Sequence, residues 1–176
     1  MKARYRFLIQ RHKNNIYSYA LYMLKNRMDA DDVTQEALIR IWKNEEKFNI
    51  LAARTWIMKT THNLCIDCLR KRNAALNREF SLDGEYGEII ADANDENDPY
   101  KKSESQILTG RIKESIEALP ENLKSVFVLF EMQGMKYREI SDILNMPINS
   151  VKVYLMRARV QLQEALKQYA PHGERR

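Results

Sequence analysis

The chain lacks any long apolar run, and glycine and proline are scarce. No run approaches the roughly 18 apolar residues of a membrane-spanning helix, so such a helix is not expected. The N-terminal segment also lacks the apolar block of a secretory signal, so we expect the protein in the cytoplasm. Five glycines and four prolines, beside abundant leucine, lysine, glutamate and arginine, favour an all-α fold.

Groupings of catalytic side chains are also missing from the sequence. The three histidines are scattered, and no Gly-rich phosphate loop, pair of catalytic carboxylates or Ser/His/Asp set is found. An enzyme is therefore disfavoured, and neither a cofactor nor a bound metal ion is expected.

The two cysteines of the chain, Cys65 and Cys68, form a single CxxC motif that follows His62. Such a motif serves in redox chemistry or as half of a metal site. However, the segment has helical periodicity, and a second pair of ligands is missing. Both cysteines also fall on an apolar stripe with Ile57 and Leu64. We therefore expect the two thiols to pack in the core.

Charge is distributed unevenly along the chain. Residues 1–79 hold 16 basic and 8 acidic residues, a net +8, and residues 106–176 hold 11 and 8, a net +3. Residues 80–105 between them hold 2 basic and 8 acidic residues, a net −6. Two basic blocks around an acidic segment suggest two surfaces that meet one polyanion, although basic domains also serve solubility alone.

Apolar periodicity predicts two small helical domains joined by a linker. The first domain, residues 1–79, contains three predicted helices. They cover residues 3–26, 29–46 and 54–78. The second of these helices has an apolar stripe that is expected to be buried, made of Val33, Ala37, Leu38, Ile41 and Trp42. Residues 80–105 are predicted to be a flexible acidic linker, residues 106–170 a second helical domain, and residues 171–176 a tail.

Residues 136–159 have the pattern of a helix-turn-helix. Ile140 and Leu144 lie four positions apart, on one face of a predicted helix. Val151 and Leu155 repeat this spacing in the next helix. A buried face on each helix, with the second helix free along its outer side, is the architecture that places a helix in the DNA major groove. The alternative is an ordinary helical hairpin within a bundle.

The turn between these two predicted helices is marked by its residue types. Asn145 tolerates the left-handed conformation of a helix end, and Pro147 prevents the first helix from continuing. Asn149 and Ser150 are suitable N-caps for the second helix. The sequence therefore predicts a tight turn over these positions.

Two parts of the chain together resemble one protein family. Residues 29–42 (DADDVTQEALIRIW) and 55–73 (TWIMKTTHNLCIDCLRKRN) resemble region two of bacterial extracytoplasmic-function (ECF) sigma factors. Residues 118–166 resemble their region four. A region-four helix-turn-helix alone also fits response regulators, whereas its pairing with D-A-x-D-x-x-Q and W-x6-N-x3-D-x2-R is specific. The resemblance covers almost the whole chain.

The resemblance implies an all-α protein that directs RNA polymerase core enzyme to promoters. Region two would bind the coiled coil of the largest polymerase subunit and open the −10 element. Region four would bind the flap of the second-largest subunit and read the −35 element. An anti-sigma factor is implied as a further partner. A stand-alone helix-turn-helix regulator is the alternative, and residues 29–73 disfavour it because such a protein has no need of that motif.

The resemblance also assigns three sets of side chains. The set for binding core polymerase is Asp31, Asp32, Gln35, Glu36 and Arg40. The set for the −10 element is Phe48, Asn49, Lys59, Asn63 and Arg70. The set for the −35 element is Asn149, Ser150, Lys152, Val153, Met156, Arg157 and Arg159. Without the resemblance, plain solvation would be the favoured explanation for the charged face of the first set.

Side-chain chemistry fits these assignments. Lys59 and Arg70 offer cations to phosphates, and Asn63 offers an amide to a base edge or the backbone. The predicted loop over residues 48–53 stands where the family captures an unstacked base. Trp56 also lies near this loop, but a Trp at a helix start is more often part of the core.

Within the −35 set, four residues are expected to approach base edges because they share one helical face. These are Asn149, Lys152, Val153 and Met156. The other three, Ser150, Arg157 and Arg159, are candidates for phosphates, with an intradomain salt bridge as the alternative for one of the arginines.

Overall fold

A computed structural model describes residues 3–44, 50–82 and 104–167 of the chain. Within these ranges the protein is built from seven α-helices, which confirms the all-α fold. They are α1 (Ala3–Leu24), α2 (Arg27–Asn44), α3 (Ile50–Leu82), α4 (Glu104–Ala118), α5 (Glu121–Phe127), α6 (Tyr137–Leu144) and α7 (Ile148–Leu166). A π-helical turn, Val128–Met132, directly follows α5. None of the helices in the described ranges combines the length and apolar character that a membrane crossing requires.

Helices α1, α2 and α3 pack together around large apolar side chains. Fully buried among them are Leu8, Ile16, Tyr19, Leu24, Ile41, Ile57 and Met58. Each of these aliphatic side chains stabilises the fold by about 1.5–3 kcal/mol through its removal from water. Cys65 is also completely buried here, as the apolar stripe predicts, and Cys68 is half-buried.

The prediction that Trp42 is buried in the stripe of α2 is wrong. Its side chain is 57% exposed and packs against the ring of Tyr5, with 6.5 Å between ring centroids. Trp42 follows the buried Ile41, and one residue turns a helix by about 100°. That rotation carries the indole from the core to the rim.

Helix α3 begins earlier than the sequence predicts. Residues 50–53 were expected in a loop, but they form the first turn of α3, and Ala53 is completely buried. Isoleucine, leucine and alanine fill this turn, and neither glycine nor proline interrupts it. Phe48 and Asn49 of the predicted −10 set lie outside the described residues, as do most of the predicted linker and the tail.

Helices α4 to α7 form the second group. Helix α7 packs against α4, α5 and α6. The buried side chains in this group include Val126, Leu129, Met135, Ile140, Val151 and Leu155. They belong to one cluster with the core of α1 to α3, because the two groups of helices are in direct contact.

The first residue of the turn in the helix-turn-helix has the conformation that the sequence predicts. Asn145 adopts the left-handed conformation, with φ 52°, and ends α6. The Met146 N–H then donates to the Ser141 carbonyl oxygen at 3.2 Å, which satisfies a carbonyl at the helix end. The N-cap of α7 is Pro147, so the predicted caps Asn149 and Ser150 lie within the first turn. Proline suits this position because it has no N–H to leave unpaired.

Candidate nucleic-acid and polymerase interfaces

One side of α7 is open to solvent along the helix-turn-helix. We call it the α7 face, and it consists of Asn149, Lys152, Val153 and Met156. All four residues are exposed, with Met156 at 60%. The opposite side of α7 is buried through Val151, Leu155, Ala158 and Leu162. The structure therefore brings the four expected base-reading residues together on a side that no described helix covers. Their contact with DNA stays a prediction.

Two stacked aromatic rings lie beside α7 and contact two of its cations. Phe130, from the π-helical turn, stacks on Tyr137 of α6 with 4.9 Å between centroids and 18° between ring planes. Lys152 Nζ lies 5.9 Å from the centroid of Tyr137, and Arg159 Cζ lies 5.5 Å from that of Phe130. Ring faces attract cations because of their quadrupole. The stack therefore restricts where both cations lie.

Arg159 also makes an ion pair with Glu131. Its Nε and Nη2 donate to Glu131 Oε1 at 2.9 and 2.5 Å. The intradomain salt bridge given as the alternative for one arginine is thus found at Arg159. The other two candidates for phosphate contacts lie beside the α7 face, where Arg157 is exposed and Ser150 is half-buried.

Phe130 and Tyr137 were not among the sequence-predicted site residues. Both are partly buried against the core, which is what aromatic residues at helical spacing suggest. The available signal was their spacing of seven residues, the same as that of Lys152 and Arg159. Because the two aromatic residues and the two basic residues have the same spacing on neighbouring segments, each basic side chain can lie over one of the rings.

Replacing Tyr137 by leucine should weaken binding to −35 DNA. An exposed cation–π contact contributes about 0.5–1 kcal/mol, so we expect a loss of about two- to fivefold. Fluorescence anisotropy with polymerase holoenzyme and a labelled −35 duplex measures it. Tyr137→Phe keeps the ring face and is the matched control. Equal losses in both variants would contradict a positioning role for the ring.

The predicted polymerase set lies together on the outer side of α2. We call it the α2 face, and it consists of Asp31, Asp32, Gln35, Glu36 and Arg40. Four of its residues are exposed and Glu36 is half-buried, with an ion pair of 2.8 Å between Arg40 Nε and Glu36 Oε1. The inner side of α2 is buried through Ala30, Val33, Thr34, Ala37 and Ile41. The α2 face is therefore free to meet a polar partner.

The predicted −10 residues of α3 differ in their surroundings. Asn63 and Arg70 are exposed, and Arg70 Nη1 lies 3.2 Å from Asp67 Oδ1. Lys59 is half-buried, and its Nζ donates to the carbonyl oxygen of Asp142 in α6 at 2.8 Å. Lys59 thus contacts the second group of helices through this hydrogen bond.

The cluster around the CxxC motif is neutral and enclosed. Burial lowers the pKa of His62 to about 4 and raises the pKa of the Cys65 thiol. The Tyr19 hydroxyl and Nδ1 of His62 are hydrogen-bonded at 2.9 Å. A buried thiol held in its protonated form is a poor nucleophile and metal ligand. The geometry assigns Cys65 and His62 to core packing.

The sequence matches two families at the two groups of helices. Residues 8–75 match the family described as Sigma-70 region 2, and residues 109–162 match Sigma-70, region 4. The chain superposes with a TM-score of 0.75 on the sigma factor RpoE of Bartonella quintana, solved in complex with the anti-sigma factor NepR. That match has 20% identity and covers 92% of this chain and 96% of the other, so it bears on the fold.

Full-length relatives agree with both family matches. The chain is 31% identical over 170 residues to the ECF RNA polymerase sigma factor SigW of Bacillus subtilis (strain 168), covering 91% of this chain and 87% of SigW. It is 26% identical over 169 residues to the ECF RNA polymerase sigma-E factor of Haemophilus influenzae, covering 94% and 89%. The chain therefore belongs to the ECF family of RNA polymerase sigma factors and directs the polymerase core enzyme to promoters to initiate transcription.

Proposed function

We propose that the two groups of helices divide promoter recognition between them. Residues 1–79 bind core polymerase and open the −10 element, and residues 106–170 read the −35 element. The observation that carries this proposal is the α7 face, a set of polar and apolar side chains left open on the second helix of a helix-turn-helix. That geometry suits insertion into the major groove.

The chemistry of the α7 face fits base reading. Lys152 has donors for the O6 and N7 acceptors of guanine, and Asn149 has the donor and acceptor that adenine requires. Val153 and Met156 are apolar and suit the methyl group of thymine. Ser150, Arg157 and Arg159 flank this face as phosphate contacts, which hold the protein on the duplex at any sequence.

The surface of α3 suits single-stranded DNA at the −10 element. Asn63 is exposed and offers both a donor and an acceptor to an unpaired base. Arg70 and Lys59 lie along the same helix and carry charge for the backbone phosphates. Phe48 and Asn49, just before α3 in the chain, belong to the same proposed capture site.

The α2 face is the proposed contact with the coiled coil of the largest polymerase subunit, and the second group of helices contacts the flap of the second-largest subunit. An anti-sigma factor is a further proposed partner, by analogy with the RpoE–NepR complex. We place the protein in the cytoplasm, where polymerase acts, and assign it a binding rather than a catalytic role.

Replacing Asp32 and Gln35 together by alanine should weaken binding to core polymerase. Both side chains are exposed, so their removal leaves the packing of α2 intact. Loss of two interface contacts is expected to cost about 1–2 kcal/mol, or about five- to thirtyfold in affinity. The measurement is titration of labelled core polymerase, with circular dichroism to verify helicity. Gln163→Ala with Glu164→Ala removes an exposed amide and acid elsewhere and is the control.

Unchanged affinity in the Asp32 and Gln35 variant would contradict the role of the α2 face. The wider proposal is tested by transcription in vitro, with core polymerase that lacks sigma factor and a library of promoter fragments. Promoter-specific transcripts that depend on this protein are expected. A stand-alone regulator would instead bind duplex DNA without starting transcription from the core enzyme.

A further inference from the structure

One side of α1 is exposed and carries positive charge. We call it the α1 face, and its residues form two adjacent rows along the helix, at spacings of three and four positions. The opposite side of α1 is buried through Leu8, Ile16 and Tyr19. All members of the α1 face are exposed, so no helix in the described ranges covers it. They are Arg6, Gln10 and Lys13 in one row and Phe7, Arg11 and Asn14 in the other.

The part of the chain that contains the α1 face has charge of one sign only. Residues 1–28 hold seven lysine and arginine residues and neither aspartate nor glutamate. The exposed arginines of α2 and α3 differ in this respect, because Arg40 and Arg70 each pair with a carboxylate of their own helix. A surface with uncompensated positive charge attracts a polyanion.

An exposed aromatic ring lies among these cations. Phe7 is 46% exposed, and Arg11 Cζ, one helical turn away, lies 5.9 Å from the centroid of its ring. Proteins that bind single-stranded nucleic acid combine such groups, since bases stack on the rings while cations hold the phosphates. Double-stranded DNA offers only base edges in its grooves, because its base faces are stacked on one another. The ring therefore favours a single strand over a duplex.

The α1 face lies at the end of the molecule where α3 begins. Helices α1 and α3 run in the same direction, since the Tyr19 hydroxyl and His62 Nδ1 are hydrogen-bonded at 2.9 Å and Arg72 Nη1 donates to the Leu24 carbonyl oxygen at 3.3 Å. Counting back along both helices at the same rise per residue places residues 7–11 level with the first turn of α3. That turn adjoins the proposed site of base capture at the −10 element.

Positive charge continues from the α1 face to α3. Burial lowers the pKa of His12, and the guanidinium groups of Arg11 and Arg54 lower it further. The two arginines, one on each helix, therefore act on the same buried imidazole. Because His12 stays neutral, the positive charge at this end comes from arginine and lysine and does not depend on pH in the neutral range.

We infer that the α1 face is a second binding site for single-stranded DNA, which holds the opened promoter strand beside the base captured at α3. The inference rests on the proposed function of α3 at the −10 element. Arg6, Arg11 and Lys13 bind phosphates of the strand, and an unpaired base stacks on Phe7. Neither kind of contact reads sequence, so the site assists the opening of all promoters alike.

The dimensions of the α1 face suit a short piece of strand. From Arg6 to Lys13 the helix rises about 10 Å, at about 1.5 Å per residue. Gln10 and Asn14 lie between the cations and offer amide donors and acceptors to an unpaired base. A base can stack on Phe7 only after it has left the duplex. The site therefore stabilises the open complex relative to the closed complex.

Removal of charge tests the phosphate contacts. Arg6→Gln, Arg11→Gln and Lys13→Gln together replace exposed side chains and leave the buried side of α1 intact. Binding of holoenzyme to a promoter with a pre-melted bubble should weaken about tenfold or more at about 0.1 M salt. The salt dependence of log K should fall by about two units, since each phosphate contact on a single strand contributes about 0.7.

A second triple variant with the same loss of charge is the matched control. Arg27→Gln, Lys113→Gln and Lys167→Gln lie at exposed positions outside the proposed DNA and polymerase sets. We expect this variant to bind the bubble template nearly as well as the unmodified protein. Equal losses in the two triple variants would show that only net charge acts, and the α1 face would then be no binding site.

Changes of the ring test base stacking separately from charge. Phe7→Leu keeps an apolar side chain and removes the ring face, so affinity for the bubble template should fall about five- to tenfold with no change in the salt dependence. Phe7→Trp keeps a ring face and should restore the affinity. Full affinity in the leucine variant, or an equal loss in the tryptophan variant, would contradict stacking on this ring and overturn the inference.

Photocrosslinking from position 7 identifies the molecule that covers the α1 face. Phe7 is replaced by p-benzoylphenylalanine, and holoenzyme is illuminated on the bubble template with each strand labelled in turn. A crosslink to a nucleotide within the bubble is expected. A crosslink to a polymerase subunit alone, or to neither strand, would refute the α1 face as a DNA site. Failure of the unmodified protein to start promoter-specific transcription would instead refute the proposed function.

Discussion

Replacement of Asn63 by alanine is expected to slow promoter opening by about thirty- to 150-fold while leaving polymerase binding and closed-complex formation nearly normal. Asn63 lies on the exposed side of α3, away from the buried Leu64 and Cys65. Its removal therefore leaves the core intact. Unstacking a base costs a few kcal/mol, and loss of about 2–3 kcal/mol of capture energy corresponds to that change in rate.

Permanganate reactivity of thymines in the −10 element measures this opening. A template with a pre-melted bubble should restore much of the lost transcription, because the base is then already unstacked. Asn73→Ala removes an exposed amide further along α3 and is the matched control. Normal melting of duplex promoters by the Asn63 variant would show that its amide is merely solvated.

Substitutions on the α7 face should change which −35 sequences are used. Lys152→Ala or Met156→Ala removes one proposed base-edge contact, and a contact of that kind discriminates by about 1–3 kcal/mol, or about five- to 150-fold. Arg157→Ala should instead lower binding to all sequences alike and reduce the salt dependence of log K by about one unit. The contrast follows because phosphates are the same at every base pair and base edges are not.

Selection from a randomised −35 library, with holoenzyme at two salt concentrations, measures both effects. Gln163→Ala changes an exposed residue near the end of α7 and is expected to leave preference and affinity unchanged. Equal, sequence-independent losses in the Lys152, Met156 and Arg157 variants would place the base-reading surface elsewhere.

Local chemistry was sufficient to predict most helices and the helix-turn-helix. Asn145 adopts the predicted left-handed conformation, and Ile140, Val151 and Leu155 are buried as their four-residue spacing indicates. These features depend on residues close together in the chain. Periodicity was less informative at the rim of a stripe, where Trp42 was predicted to be buried and is exposed.

The contact between α3 and α6 could not be predicted from residue types. Two hydrogen bonds from α3 to the second group of helices end on backbone carbonyl oxygens, that of Asp142 in α6 and that of Gln133 just before it. Every residue carries such a group, so the side-chain sequence gives no sign of which carbonyl is chosen. The aromatic stack of Phe130 and Tyr137 was not predicted for a related reason. The sequence indicates that these rings are partly buried, but it does not indicate whether a cation lies on them.

Along helix α7, buried residues that hold the helix in place alternate with exposed residues that can be replaced without disturbing the packing. Val151, Leu155 and Ala158 hold the helix in place, whereas Lys152 and Met156 are open to solvent between them. Exposed substitutions usually change the free energy of unfolding by no more than about 0.5 kcal/mol. Promoter preference can therefore diverge between duplicated copies without loss of foldability. The same property makes α7 a suitable starting point for engineering orthogonal pairs of factor and promoter.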